Sequence, residues 1–302
     1  MEYTKQSLEE PSREGGITVV KKWIAMTALS AMLLSSCSAA DAVSGTKSHK
    51  QQLIHAEGAN VIDRIAVPKG YERVPVEDGS YELYLRNLPL KPHGSKVHLF
   101  NGDLKAKEVY EAVLDVDVGE RDLQQCADAV MRLRAEYLYG SGNYDKIHFN
   151  FTNGFRTDYA TWRKGNRIEV SGNKVSWAKR GAASNSYEVF RSYLNMVFAY
   201  AGTLSLSKEM KQVPLSEMQA GDVFLEGGTP GHAIVVLDMA ENPKTGEKLF
   251  LLAQGYTPAQ DIHILENGAN GEGNPWYSTS FEGKLSTPEW TFTREQLYRF
   301  TD

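Results

Sequence analysis

Cysteine is nearly absent from this chain: Cys37 and Cys126 are the only two in 302 residues. Two thiols allow one disulfide at most, and none once either is used for another purpose. Positive charge is not in excess, with 33 Lys and Arg against 38 Asp and Glu and a net charge of −5, which argues against nucleic acid as a partner. The seven histidines lack any His-x-x-x-His spacing, so neither a metal nor another cofactor is expected. No apolar run is long enough for an ordinary membrane span, and no internal repeat or low-complexity block breaks the chain. What remains is 41% hydrophobic and 24% charged, the balance of a folded domain with a mildly acidic surface. Oligomeric state is left open.

The N-terminal segment carries an address. Lys21 and Lys22 precede the apolar run from Trp23 to Leu34, and Ser35 and Ser36 lead to Cys37. A basic start, a short apolar stretch and small residues make a secretory signal. The end of that segment resembles the bacterial lipobox, whose cysteine is acylated and becomes the first residue of the mature protein. Residues 1–36 are therefore read as the signal peptide and Cys37 as the lipidation site, a membrane anchor. Residues 1–18 are polar and fit no part of a signal, so translation is expected to start near Val19 or Val20. The stretch 37–60 is small and polar and reads as a flexible tether. Only Asp41 is acidic just after Cys37, which favours the periplasmic side of the outer membrane over the cell surface. Lipidation of Cys37 would leave Cys126 as a lone thiol in an oxidising compartment.

One domain, 61–302, is expected beyond the tether. "DGSYELYLRNLPLKPHG" puts Tyr81, Tyr84, Leu85 and Leu88 on one helical face and stops at Pro89. "KVHLFNGDLK" holds an Asn101-Gly102 hairpin turn. "AVLDVDVG" alternates Ala112, Leu114, Val116 and Val118 against Asp115 and Asp117, a half-buried strand whose aspartates solvate its outer face. "GERDLQQCADAVMRLRAEYLYGSG" is a helix with Asp122 as N-cap, an apolar stripe that includes Cys126, and Gly140 as its stop. Short strands turning at Asn153-Gly154 and Gly172-Asn173 follow, then a second helix in "SNSYEVFRSYLNMVFAYAG". From "GDVFLEGG" onward the pattern is a strand meander. Helices first and strands later predict an α+β fold, with helices packed on a largely antiparallel sheet.

The chemistry centres on "GDVFLEGGTPGHAIVVLDMA". His232 opens a continuous apolar run suited to a central strand, where an imidazole is half desolvated and oriented. Gly231 before it suits a close approach of another backbone. "GD…GH" followed by an apolar strand resembles the second half of the papain-like NlpC/P60 and CHAP amidases of bacterial envelopes. Those families place a cysteine at the start of an earlier helix and a polar orienting residue on the next strand. The resemblance implies a papain-like core in which Cys126 is the nucleophile, His232 the base and Gln254 the orienting group, with an insertion between Cys126 and His232. Gln254 departs from the His, Asn or acid those families commonly use, and the surroundings of Cys126 are not their Asp-Cys-Ser motif. A thiol needs help to become a thiolate, and a helix N-terminus with an imidazolium partner supplies it. A position on the helix's apolar stripe equally suits an inert core thiol, and both readings stay open.

Asp261 and His263 alternate in "QDIHIL" and would share a face beside the site; Tyr256 and Trp276 are candidate walls of a substrate groove. "LQQCADAVMRLRAEYL", "PGHAIVVLDMA" and "LLAQGYTPAQDIHIL" resemble segments of an uncharacterised lipoprotein family of Bacteroides-like bacteria, domain of unknown function 4846. The leading expectation is a lipid-anchored cysteine hydrolase acting on an envelope peptide or glycopeptide amide, as in peptidoglycan. The alternative is a non-catalytic lipoprotein binding a glycan, peptide or partner protein through the same cleft.

Overall fold

The computed structural model describes residues 52–301. The signal segment, Cys37 and most of the tether lie outside the described residues. In chain order the elements begin with α1 (Val61–Arg64), β1 (Glu72–Arg73), α2 (Tyr81–Arg86), β2 (Tyr110–Val113) and α3 (Cys126–Gly140). Next come β3 (His148–Asn150), β4 (Arg156–Asp158), α4 (Tyr159–Trp162), β5 (Asn166–Ser171), β6 (Lys174–Lys179) and α5 (Tyr187–Tyr200). Then follow α6 (Thr203–Glu209), β7 (Lys211–Gln212), β8 (Val223–Glu226), β9 (His232–Glu241), β10 (Lys248–Gln254) and β11 (His263–Leu265). The chain closes with β12 (Tyr277–Ser278), β13 (Lys284–Ser286), β14 (Thr291–Thr293) and β15 (Leu297–Arg299).

Nine of these strands form one antiparallel sheet in the order β2-β11-β10-β9-β8-β15-β7, with β1 pairing β9 and β12 pairing β10. The α+β class read from the pattern is the class observed. β9 is the centre of the sheet and is buried along nearly its whole length. Alternation sends Ala233, Val235 and Leu237 into the core shared with α2, α3, α5 and α6, and Ile234 and Val236 into a second core, which Met239 joins after a register shift in the pairing with β10 reverses the parity. Phe224, Phe250, Phe292 and Leu297 fill that second core. A strand covered on both faces has no polar side to show, which is why "AIVVL" is continuous. Each such side chain contributes roughly 1.5–3 kcal/mol by leaving water. β3–β4, β5–β6, α4 and α5 lie between α3 and the meander in sequence, and the two hairpins pair only with themselves.

Three boundaries differ from the sequence reading. The fold starts before Val61: Leu53 is in the core, Ile54 bridges Ile65, and the His55 amide donates to the Arg64 carbonyl. The apolar pair Leu53-Ile54 ends the tether early. The strand expected through Val118 stops at Val113, because its partner β11 is only three residues long; Leu114 bridges Leu90 instead. The third difference lies at the helix that carries the thiol.

Candidate active site

Cys126 is the first residue of α3, with Gln125 as N-cap. The Gln125 amide donates to Asp128 Oδ2 at 3.1 Å, one half of a capping box. Asp122, expected in that role, accepts from the Ala259 amide at 2.7 Å and the Gln125 side chain at 2.9 Å. It ties the segment before α3 to the loop after β10. The thiol therefore sits in the first turn, where N–H groups are unpaired and the helix dipole is positive. Gly255, directly after β10, permits this seating: a Cβ there would lie 3.0 Å from Ala129 Cβ and 3.0 Å from the Gln125 carbonyl oxygen.

His232 opens β9, Gln254 ends β10 and His263 opens β11, with Gln254 in register with His263. The three stand in a row across adjacent strands, all nearly closed to solvent (2%, 1% and 0% exposed). His232 Nε2 is 2.8 Å from Gln254 Oε1. Gln254 Nε2 is 2.7 Å from Glu289 Oε2 and 3.3 Å from His263 Nε2. His263 Nδ1 is 2.9 Å from the Asp261 carbonyl oxygen. Glu289 Oε1 in turn accepts from Lys105 Nζ at 2.8 Å, an ion pair with only 6% of either side chain exposed. The His232 ring lies among Tyr256, Trp290 and Phe292, with ring centres 5.1, 5.2 and 6.0 Å away. Lys105 Nζ stands 4.8 Å above the Tyr256 ring.

Gly231 has the close neighbour that its type suggests. A Cβ there would run into Thr203 Oγ1 and lie 2.7 Å from the Glu226 carbonyl oxygen, so the backbone into His232 is pressed against the start of α6 and the end of β8.

Electrostatics favour neutral groups. Burial lowers His232 to about 4, opposed by its bond to Gln254 and the charge of Glu289 and aided by Lys105. Burial likewise lowers His263 to about 3. Burial raises the Cys126 thiol; the Ala127 amide pulls it down, Asp128 pushes it up, and the amides of Ala233 and Cys126 itself pull it down. The Ala233 amide is the one that follows His232, so the sulfur lies against the start of β9. The thiolate–imidazolium pair expected from the sequence gives way to a neutral resting pair, because both charges would be desolvated. With Nε2 of neutral His232 donating to Gln254, Nδ1 keeps its lone pair.

A family profile matches residues 61–299. The chain belongs to domain of unknown function 4846. No curated protein and no solved structure matches it.

Of the residues singled out in the sequence, this member of the family brings together Cys126, His232, Gln254, His263 and Tyr256. Burial raises the Tyr256 hydroxyl, with smaller contributions from Glu289 and from its neighbour Cys126. Asp261 does not share the face of His263. Its carboxylate accepts from Lys91 Nζ at 2.8 Å and the His98 amide at 2.9 Å, which fastens the hairpin at Asn101-Gly102. Trp276 is fully buried in the main core and donates from Nε1 to the Ala66 carbonyl at 2.9 Å, so it anchors a loop. Lys105, Glu289, Trp290 and Phe292 were not foreseen. Among the described residues, no group of three His, Cys, Asp or Glu side chains is placed to hold a metal, and no helix is long and apolar enough to cross a membrane.

Proposed function

We propose that this protein is a cysteine hydrolase of papain-like mechanism acting on amides. The observation that carries the reading is the 2.8 Å contact of His232 Nε2 with Gln254 Oε1, made beside a thiol in the first turn of a helix. Cys126 Sγ attacks the amide carbonyl carbon while His232 Nδ1 takes the thiol proton. The carbonyl oxygen becomes an oxyanion near the unpaired amides at the start of α3. The C–N bond then breaks, His232 returns its proton to the departing amine, and a thioester remains. Water adds to the thioester by the same base and releases the acid and the thiol. An uncharged partner suits this scheme, since His232 is cationic only transiently.

The N-terminal segment supports an exported, lipid-anchored enzyme held through Cys37 at the outer membrane, and that location makes a peptidoglycan stem peptide or another envelope polymer the substrate class. A second reading, a binding lipoprotein without turnover, is favoured by one observation, the raised Cys126 thiol.

Alkylation of Cys126 separates the two. In the full chain carrying Cys37→Ser, Cys126 is the only thiol. A free thiol loses about tenfold in rate per pH unit below its pKa. With His232 neutral down to about 4 and acting as base, the rate is expected to stay within about threefold from pH 7 to pH 5.5 and to collapse in His232→Ala. A tenfold fall per unit, or indifference to His232, would remove the enzyme reading.

A further inference from the structure

We propose that Glu289 is a positioning residue of this site: held by Lys105, its carboxylate acts with His263 to fix the Gln254 amide so that oxygen, and not nitrogen, meets His232. The inference rests on the reading of Cys126 and His232 as nucleophile and base, and names what sets the base's tautomer. The argument starts from two groups that can only accept. The Asp261 carbonyl oxygen beside His263 Nδ1 requires a proton on that nitrogen, which leaves Nε2 of neutral His263 as a bare acceptor. The Glu289 carboxylate, engaged by Lys105, also accepts only. Both acceptors face the same atom of Gln254, at 3.3 and 2.7 Å. That atom must be the NH2, and each of its two hydrogens has a place to go. The oxygen is then left for His232, whose Nε2 must carry the proton and whose Nδ1 must not.

With either acceptor lost, the amide is freer to turn over. An NH2 facing His232 would draw the imidazole proton to Nδ1, the atom that has to be empty when the thiol gives up its own. Gln254 alone cannot prevent this, because its two ends are nearly the same size; the carboxylate supplies the difference. The titratable and charged groups around His232 are Cys126 from α3, which reaches the Ala233 amide, Tyr256 from the loop after β10, His263 from the start of β11, Glu289 from the loop before β14, and Lys105 from the hairpin segment. Of these only Glu289 and Lys105 form an ion pair, and they reach His232 through Gln254.

The test uses Glu289→Gln in the Cys37→Ser chain. A glutamine has one oxygen for two donors, and the Lys105 ammonium takes it because the charge-assisted bond is stronger. Its NH2 then confronts the NH2 of Gln254. Cys126 alkylation at pH 7 is expected to slow about tenfold, and nitrogen NMR of the His232 ring to move from the Nε2–H toward the Nδ1–H form. Adding Gln254→Glu restores an acceptor for the NH2 at position 289 and for the Nε2–H of His232, though it then faces the bare Nε2 of His263, and should recover part of the lost rate. An unchanged tautomer, or a double variant no faster than the single, would overturn the assignment and leave Glu289 a part of the fold. A parent chain whose His232 already carries its proton on Nδ1 would overturn it too, even if Glu289→Gln does not fold. If alkylation is indifferent to His232→Ala, the hydrolase reading falls, while the NMR comparison still decides the role of Glu289.

Discussion

The two ends of β9 treat buried polarity in opposite ways. Near its C-terminal end Asp238, fully buried, accepts from Arg73 Nε at 2.7 Å, Arg86 Nε at 2.9 Å and the Met239 amide at 2.8 Å. Those bonds cover both carboxylate oxygens, and the one negative charge is shared by two guanidinium groups. At the N-terminal end His232 is almost as deeply buried, yet its ring meets an uncharged amide, that of Gln254, and one ring nitrogen keeps a lone pair. On the proposed reading, the difference separates polar groups that hold a fold from those kept ready for a reaction. A satisfied charge network has no valence left for a substrate; a neutral imidazole beside a thiol does.

The sharpest break of that comparison is Asp238→Ala. It strands two arginines at the edge of the core, and unfolding in denaturant should show a loss of about 3–5 kcal/mol, while Cys126 in the remaining folded protein labels as before. His232→Ala is the mirror image. Labelling of Cys126 at pH 7 should fall by about a hundredfold, with a far smaller change in unfolding free energy. If Asp238→Ala abolished labelling in folded protein, the two ends would be one functional unit and the distinction would fail.

A smaller effect comes from pH. The folded values of His232, about 4, and His263, about 3, lie below the unfolded value near 6.5. Between those limits the unfolded chain binds more protons, so this part of the stability is complete above about pH 6.5 and is lost as pH falls toward 4. Each histidine contributes a slope of up to about 1.4 kcal/mol per pH unit in that window. Buried Asp128 is raised and works in the opposite sense, so the clean measurement is a difference. Unfolding free energies at pH 6 and pH 5 for the parent and for His263→Gln should differ in slope by about 1 kcal/mol per unit; equal slopes would mean that His263 is protonated in the folded chain.

Much of this was legible in the residues, and the misses have physical causes. Periodicity gave α2, α3, α5 and the meander because their burial repeats at 3.6 or 2 residues or, for β9, runs unbroken. His232, Gln254 and Cys126 could be singled out because each marks an element's end, where turn residues such as Gly231 and Gly255 flag two of the positions. Asp122 misled because an acidic residue before an apolar stripe looks the same whether it caps the helix or, as here, binds the distant Ala259 amide. Glu289 and Lys105 were invisible for a related reason: they meet Gln254 and each other only through the fold, and a Glu before Trp290 or a Lys after Leu104 has the ordinary pattern of a solvated loop. Trp276 carried no mark to distinguish a groove wall from a core anchor.

The smallest predicted effect probes how closely the thiol end depends on packing. At Gly255 a methyl group would meet Ala129 Cβ and the Gln125 carbonyl oxygen, each at 3.0 Å, tighter than ordinary contact, so α3 and the end of β10 must part by a few tenths of an ångström. Gly255→Ala should therefore cost about 1 kcal/mol in denaturant unfolding and slow Cys126 labelling about threefold, because a shift in placement weakens proton transfer without removing a group. Gly246→Ala is the control. Its φ of +72° penalises a side chain, and no atom lies within 4 Å of a Cβ there, so it should lower stability by a similar amount and leave labelling alone. If both variants slowed labelling equally, general loosening of the fold would explain the loss, and the contact between α3 and β10 would have no special part in setting the thiol against His232.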